Sequence, residues 1–211
     1  MLITMEGIDG CGKSTQTEKL QRNLEESAVP FVLVREPGGT AVGEDIRQVL
    51  LENHYSLSLQ AELLLYMAAR SELTEQIIIP ALLEGKIILC DRFTDSTLAY
   101  QGYGGGADLK LIRALNCRAT GGICPDLTFL LDLGVEEAAG RRSTAADRME
   151  SKDLHFHQRV RRGYLEIARQ EPQRVIMVEA SADQVHQADI IWQQVQILIK
   201  IRSTLRNGYD Y

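Results

Sequence analysis

Positive charge is in short supply in this chain. Lysine and arginine number 23 against 29 aspartates and glutamates, a formal net charge of −6 with a pI near 5.3. Surfaces whose main business is nucleic-acid binding are usually strongly basic, so this balance argues against that role. It leaves room for a local basic pocket around a small anion. Cysteine is sparse as well: Cys11, Cys90, Cys117 and Cys124 make no CxxC pair, and their spacing fits no zinc site. Cys90 lies inside an apolar run and reads as a small core residue. No apolar run reaches the length of a membrane span, and no charged leader precedes the opening Met-Leu-Ile-Thr-Met-Glu. Together with free thiols, this predicts a cytoplasmic protein without a membrane partner. Internal repeats and low-complexity linkers are also missing. With 211 residues, 45% of them hydrophobic, the chain is long and apolar enough for one domain with a real core.

What is present is an alternation of short apolar runs and helical patterns. Leu2 to Met5 reads as a strand that ends in a glycine-rich turn, followed by a helix from Lys13 to Leu24. Phe31–Val34, Lys86–Cys90, Leu127–Leu133 and Val175–Val178 are further strands. Residues 57–84 read as one long helix, apolar on more than one face, which Pro80 bends or breaks. A last helix runs from about Asp183 to Ile201. Continuous β-rich runs alternating with helices predict an α/β fold, and the glycine-rich turn after the first strand, Gly7 to Ser14, makes it one of the P-loop NTPase type. About five parallel strands are covered by helices on both faces, with ligands at the carboxyl ends of the strands. Residues 140–152 are polar and rich in cations and read as a small lid, within a single P-loop domain spanning 1–202; the tail 203–211 carries no packing pattern and is expected to fray.

Gly7-Ile8-Asp9-Gly10-Cys11-Gly12-Lys13-Ser14 fits G-x-x-x-x-G-K-[ST], after a strand and at the start of a helix, as that motif requires. With Thr15 it forms a cradle for the phosphates of ATP: glycines let backbone N–H groups turn inward, and the helix N-terminus adds partial positive charge. Lys13 should reach the β- and γ-phosphates, and the Ser14 hydroxyl should bind Mg²⁺. The guanine-reading Asn-Lys-x-Asp of GTPases is absent, as is the Leu-Ser-Gly-Gly of ABC-type ATPases. Instead, Asp91-Arg92-Phe93 closes a buried strand, where Asp91 can hold a water on Mg²⁺ and Arg92 can point into the crevice. A bland surface ion pair is the alternative for these two residues.

Glu36-Pro-Gly-Gly-Thr40, Tyr66-Met-Ala-Ala-Arg70, the block from Asp91-Arg92-Phe93 through Ser96-Thr97 and Tyr100-Gln101-Gly102, Pro125-Asp-Leu-Thr128 and Asp147-Arg-Met-Glu150 then occur in order. With the P-loop, they make the chain resemble bacterial thymidylate kinase from about residue 2 to 200. The resemblance implies transfer of the ATP γ-phosphoryl group to dTMP to give dTDP, in dTTP supply, by an enzyme that is usually a homodimer. It also implies roles for single residues. Arg92 would clamp the dTMP phosphate, and Asp9 would accept from the sugar 3′-hydroxyl. Tyr66, where the family often has Phe, would stack on thymine, and Arg70 would hydrogen-bond a thymine carbonyl. Thr97 would meet the pyrimidine edge, Tyr100 would crowd the 2′ position, and Glu36, Ser96 and Gln101 would belong to the same pocket. Arg35 and Arg47 would help with phosphate, and adenine would lie near Ala180 and Ser181. Gly10 stands where another class of the family carries an arginine, so the lid would supply that charge from Arg141, Arg142 or Arg148. Which of Arg141 and Arg142 meets the γ-phosphate stays open, and Arg148 could instead be a lid brace held by Asp147 or Glu150. His155 and His157 read as surface residues, and Arg159, Arg161 and Arg162 as mostly solvated helix cations. Two competing readings remain: a nucleoside kinase with Glu36 as general base, and a nucleotide-binding switch without turnover.

Overall fold

The computed structural model describes residues 1–52, 54–141 and 147–207. Five strands form one parallel sheet: β1 (Leu2–Glu6), β2 (Phe31–Arg35), β3 (Ile87–Asp91), β4 (Leu127–Asp132) and β5 (Val175–Glu179), in the spatial order β2-β3-β1-β4-β5. The parallel pairing aligns Met5 with Asp91 on one side of β1 and with Phe129 on the other. β1 is central and every one of its residues is buried, which explains its unbroken apolar run. Side chains alternate across the sheet: Ile3, Met5, Leu89 and Phe129 enter one core, while Leu2, Ile88 and Cys90 enter a second core with Leu73, Ile78 and Phe93. Each fully buried aliphatic side chain contributes roughly 1.5–3 kcal/mol. Cys90 is a core residue, as its setting predicts.

The helices are α1 (Lys13–Glu26), α2 (Ala41–Leu51), α3 (Leu59–Leu73), α4 (Ile79–Leu83), α5 (Thr94–Thr97), α6 (Leu109–Ala119), α7 (Val135–Arg141), α8 (Leu154–Gln170) and α9 (Gln184–Asn207). Thr40, Ser58 and Asp153 cap α2, α3 and α8 by accepting backbone N–H groups of the first turn. The expected long helix does not break at Pro80. A π-turn over Thr74–Ile78 joins α3 to α4, and the N–H of Ile79 bonds the Thr74 carbonyl. Proline has no N–H for an α-ladder and its ring crowds the carbonyl four residues back, so the wider turn absorbs it. A second π-helical stretch, Leu98–Gly104, follows α5. The backbone of α9 continues to Asn207, past the point where the tail was expected to fray.

Candidate active site

The turn from β1 into α1 wraps a loop that only glycine can make at its tightest points. Gly7 has φ 138°, and a Cβ there would sit 2.6 Å from the Leu131 carbonyl oxygen. Gly10 has φ 89°, and a Cβ would sit 2.3 Å from the carbonyl oxygen of Ala138 in α7. α7 therefore lies directly on the loop at Gly10, and no side chain of any kind fits there. Lys13 is buried beneath the loop, donating to the carbonyls of Gly7 and Ile8 at 3.1 Å each. Ile8 and Cys11 are buried anchors, whereas Gly10, Gly12, Ser14 and Thr15 line the cleft.

Arg92 follows β3 in the left-handed region, φ 67°. This conformation costs an L-residue on the order of 1–2 kcal/mol, and the surroundings hold it. Its N–H donates to Met5 O at 3.0 Å. Its guanidinium pairs with Asp9 and donates to Gly7 O, Ser96 Oγ, Tyr164 OH and Tyr100 OH. The Tyr100 hydroxyl donates to the other Asp9 oxygen at 2.7 Å. Burial by itself would raise the Asp9 pKa, but Arg92, Lys13 and the Tyr100 hydroxyl outweigh it and hold the carboxyl well below the usual range. Beneath this group lies Glu6, a fully buried carboxyl that accepts from Phe93 N–H at 2.7 Å, Ser96 Oγ at 2.6 Å and Tyr164 OH at 3.0 Å. Burial, with Asp95 nearby, pushes its pKa up to about 7 against the pull of Ser96, Arg92 and Phe93 N–H. No local sequence pattern marks Glu6 and Tyr164 as neighbours. The one sequence signal was a charged residue ending an otherwise apolar central strand.

Arg70 is 1% exposed, and all five of its N–H donors meet protein acceptors. Nε and Nη2 bind Glu36, Nη2 also reaches Phe93 O at 3.1 Å, and Nη1 reaches Thr97 Oγ1 at 3.0 Å and Asn116 Oδ1 at 2.6 Å. Contact with a base carbonyl would therefore require Arg70 to share or release one of these acceptors. Glu36, with both oxygens on Arg70 and 5% exposure, is a structural counter-ion and not an available general base.

Arg148 departs from its expected place. It does not line the cleft and is not held by Asp147 or Glu150. It is buried, with Nε donating to Leu50 O at 2.7 Å and Nη1 to Glu62 Oε2 at 2.6 Å. The carbonyls at the end of α2 and the α3 carboxylate draw it inward, so it is a brace and not a phosphate ligand in this arrangement. Arg141 pairs with Glu137 at 2.6 Å and reaches Ala180 O at 3.3 Å. Arg142 lies outside the described residues. His157 is buried, contrary to the surface reading, with Nε2 3.3 Å from Glu150 O, while His155 is exposed. Arg161 binds Asp132 and Arg159 binds Gly104 O, so neither is merely solvated.

A cleft of about 520 Å³ runs from Gly12, Lys13 and Ser14 past Asp91 and Arg92 to Tyr66, Thr97, Tyr100 and Gln101; Glu36, Arg35, Arg47 and Ser96 also border it. A second, of about 340 Å³, adjoins it beneath the end of β5 and is lined by Cys11, Gln16, Ala180, Ala182, Asp183 and Gln187. Arg141 borders both clefts.

An open parallel sheet with a phosphate-binding loop at its central strand, and a cleft that leads from the loop across Arg92 to an aromatic-lined chamber, defines a P-loop phosphotransferase. The family profile described as thymidylate kinase matches residues 5–189. Thymidylate kinase of Chlorobaculum parvum is 51% identical, over 85% of this chain and 88% of that one. That of Kosmotoga olearia is 45% identical, over 89% and 92%. The crystal structure of thymidylate kinase from Ehrlichia chaffeensis matches with a TM-score of 0.78 at 38% identity, over 93% of this chain and 98% of that one. The chain belongs to the thymidylate kinase family.

Proposed function

We propose that the chain transfers the γ-phosphoryl group of ATP to the phosphate of dTMP, giving dTDP and ADP. ATP would lie on the P-loop with its base in the smaller cleft, and dTMP in the chamber of Tyr66, Thr97, Tyr100 and Gln101. Family membership supports the reaction. The site assignment rests on one observation: a single cleft is lined by Lys13 and Ser14 at one end and by Tyr66 and Gln101 at the other, with Arg92 between them. Donor and acceptor phosphates would meet there, which calls for charge neutralisation and positioning above all. An oxygen of the acceptor phosphate attacks the γ-phosphorus, and the bond to the β-γ bridging oxygen breaks. A monophosphate has its second pKa near 6, so the nucleophile is already largely a dianion and needs no general base. Arg92 grips the acceptor phosphate, Lys13 follows the charge on the donor, and Asp9 accepts from the 3′-hydroxyl while holding Tyr100 against the 2′ position. Arg141, or Arg142 beside it, adds charge at the γ-phosphate.

The residues present fit Mg²⁺. Among the described residues Asp91 Oδ1 is buried without a hydrogen-bond partner, and Asp91 shares its cleft with Ser14. Ser14 would hold the ion directly and Asp91 through water. Bound there, Mg²⁺ would neutralise charge on the donor phosphates. No described helix is long and apolar enough to cross a membrane, and Cys11, Cys90, Cys117 and Cys124 are all unpaired, which fits a cytoplasmic setting. The family resemblance implies a homodimer, and we place its contact on α3, where Leu64 is half-exposed. Initial rates with ATP and dTMP, dUMP or thymidine test the reading. dTDP formation is expected; phosphorylation of thymidine with dTMP untouched would overturn it.

A further inference from the structure

Glu62 sits in the first turn of α3, is buried, and is not part of the cleft wall. Both of its oxygens are engaged. Oε2 accepts from Arg148 Nη1 at 2.6 Å, and Oε1 accepts from Gln101 Nε2 at 2.8 Å. A carboxylate paired with a guanidinium offers only acceptors, so the Gln101 amide must present its NH₂ to Glu62. The reverse orientation would set two oxygens against each other. The Gln101 carbonyl oxygen is thereby turned away from Glu62, and no hydrogen bond reaches it among the described residues. Gln101 and Thr97 both line the cleft, four residues apart in the helical run formed by α5 and the π-helical stretch after it. Thr97 Oγ1 accepts from Arg70 at 3.0 Å, which leaves its own proton available as a donor. The wall of the chamber so presents an acceptor from Gln101 beside a donor from Thr97.

We propose that Glu62 is a specificity-determining residue: by fixing the Gln101 amide it selects pyrimidines that carry N3–H and a 4-oxo group over those with a 4-amino group. The inference rests on the reading that this chamber takes dTMP. Thymine and uracil offer a donor at N3 and an acceptor at position 4, which match the wall. Cytosine reverses both, so that like would face like. Sites built to pair a specific donor or acceptor reject the mismatched analogue by factors that reach about 10⁴–10⁵. Arg148 serves the same end at one remove, since it occupies the other Glu62 oxygen and keeps the carboxylate turned toward Gln101. Glu62 does not touch the substrate, so it acts as a positioning residue.

The test uses dTMP, dUMP and 5-methyl-dCMP as acceptors for the whole chain. 5-Methyl-dCMP keeps the methyl, sugar and phosphate of dTMP and differs only at N3 and position 4. Wild-type kcat/KM is expected to be at least about 10²-fold lower for 5-methyl-dCMP than for dTMP. In Glu62→Gln the new amide can donate to Gln101, whose own amide then turns over. The dTMP to 5-methyl-dCMP ratio should fall about 10-fold or more, while the dTMP to dUMP ratio stays within about twofold, since both share the 4-oxo pattern. An equal loss on all three acceptors would reduce Glu62 to a structural role and overturn the inference. Wild-type enzyme that takes 5-methyl-dCMP as readily as dTMP overturns it without any variant. If the buried charge left on Arg148 unfolds Glu62→Gln, the double variant with Arg148→Met leaves neither amide fixed, and its dTMP to 5-methyl-dCMP ratio should still fall below that of the wild type. Absence of dTMP turnover in the wild type would instead defeat the proposed function itself, and this inference with it.

Discussion

Arg92 joins an unfavourable backbone to a demanding side-chain task. Its φ of 67° costs on the order of 1–2 kcal/mol, and the Met5 carbonyl and the Glu6–Phe93 bond hold it there. A planar, bidentate fork suits a phosphate better than an ammonium does. Arg92→Lys should therefore lower kcat/KM for dTMP by about 10²-fold or more, with a fall in unfolding midpoint from the lost hydrogen bonds too small to account for it. Steady-state rates alongside thermal unfolding check this, and near-normal kcat/KM would remove Arg92 from the acceptor site. Glu6 gives a prediction in pH. Its pKa rises from 4.5 to about 7 on folding, chiefly through burial. Below pH 4.5 both states hold the proton; above it the unfolded chain releases the proton and the folded protein keeps it. The contribution of Glu6 to stability is thus fully present below about pH 4.5 and is lost as pH rises to about 7. Urea unfolding at pH 5 and pH 7.5 should show the wild type losing stability relative to Glu6→Gln across that window. Parallel curves for the two proteins would mean that Glu6 is not perturbed.

At the level of elements, the turn at 147–150 is pinned from inside. Arg148 bonds the end of α2 through Leu50 and the start of α3 through Glu62, so the turn at 147–150 is anchored to the domain. Removing one partner of a buried ion pair costs roughly 3–5 kcal/mol. Arg148→Ala should therefore lower the denaturant midpoint markedly, and an unchanged midpoint would return Arg148 to the phosphates. Arg141 is a different kind of cation: its side chain is 40% exposed, lies at the end of α7 and borders both clefts. α7 also covers Gly10 closely enough to exclude a side chain, so no cation can come from position 10, and we place the charge at the γ-phosphate on Arg141. If Arg141 acts on the transition state, Arg141→Ala should lower kcat by on the order of 10²-fold and raise KM for ATP much less. A rise in KM for ATP with kcat unchanged would assign it to ground-state binding.

For the whole molecule, the sheet order β2-β3-β1-β4-β5 sets β1 in the middle, and the strand ends that carry Gly7, Arg92 and Asp132 open on one side. We place the contact of the proposed homodimer on α3, where Leu64 is 50% exposed. Leu64→Glu should convert the proposed homodimer to a monomer, read by light scattering on a sizing column. A single mass for wild type and variant alike would place the subunit contact elsewhere or rule it out.

The strands, the phosphate loop and the order of the motifs could be read from the chain because they are local. A buried parallel strand is a short apolar run, and the loop from Gly7 to Ser14 is contiguous, so spacing alone carries their chemistry. The π-turn before Pro80 and the burial of Arg148 were not legible in that way. Nor were the engagement of every Arg70 donor and the meeting of Glu6 with Tyr164. Glu62 and Arg148 are 86 residues apart and Glu6 and Tyr164 are 158 apart, so no periodicity links them. A buried charge is tolerated only where a partner reaches it, and an amide faces one way only where a carboxylate turns it. Both conditions depend on which elements the fold brings side by side, and they came into being when α3, α8 and the turn at 147–150 closed around the carboxyl ends of the sheet.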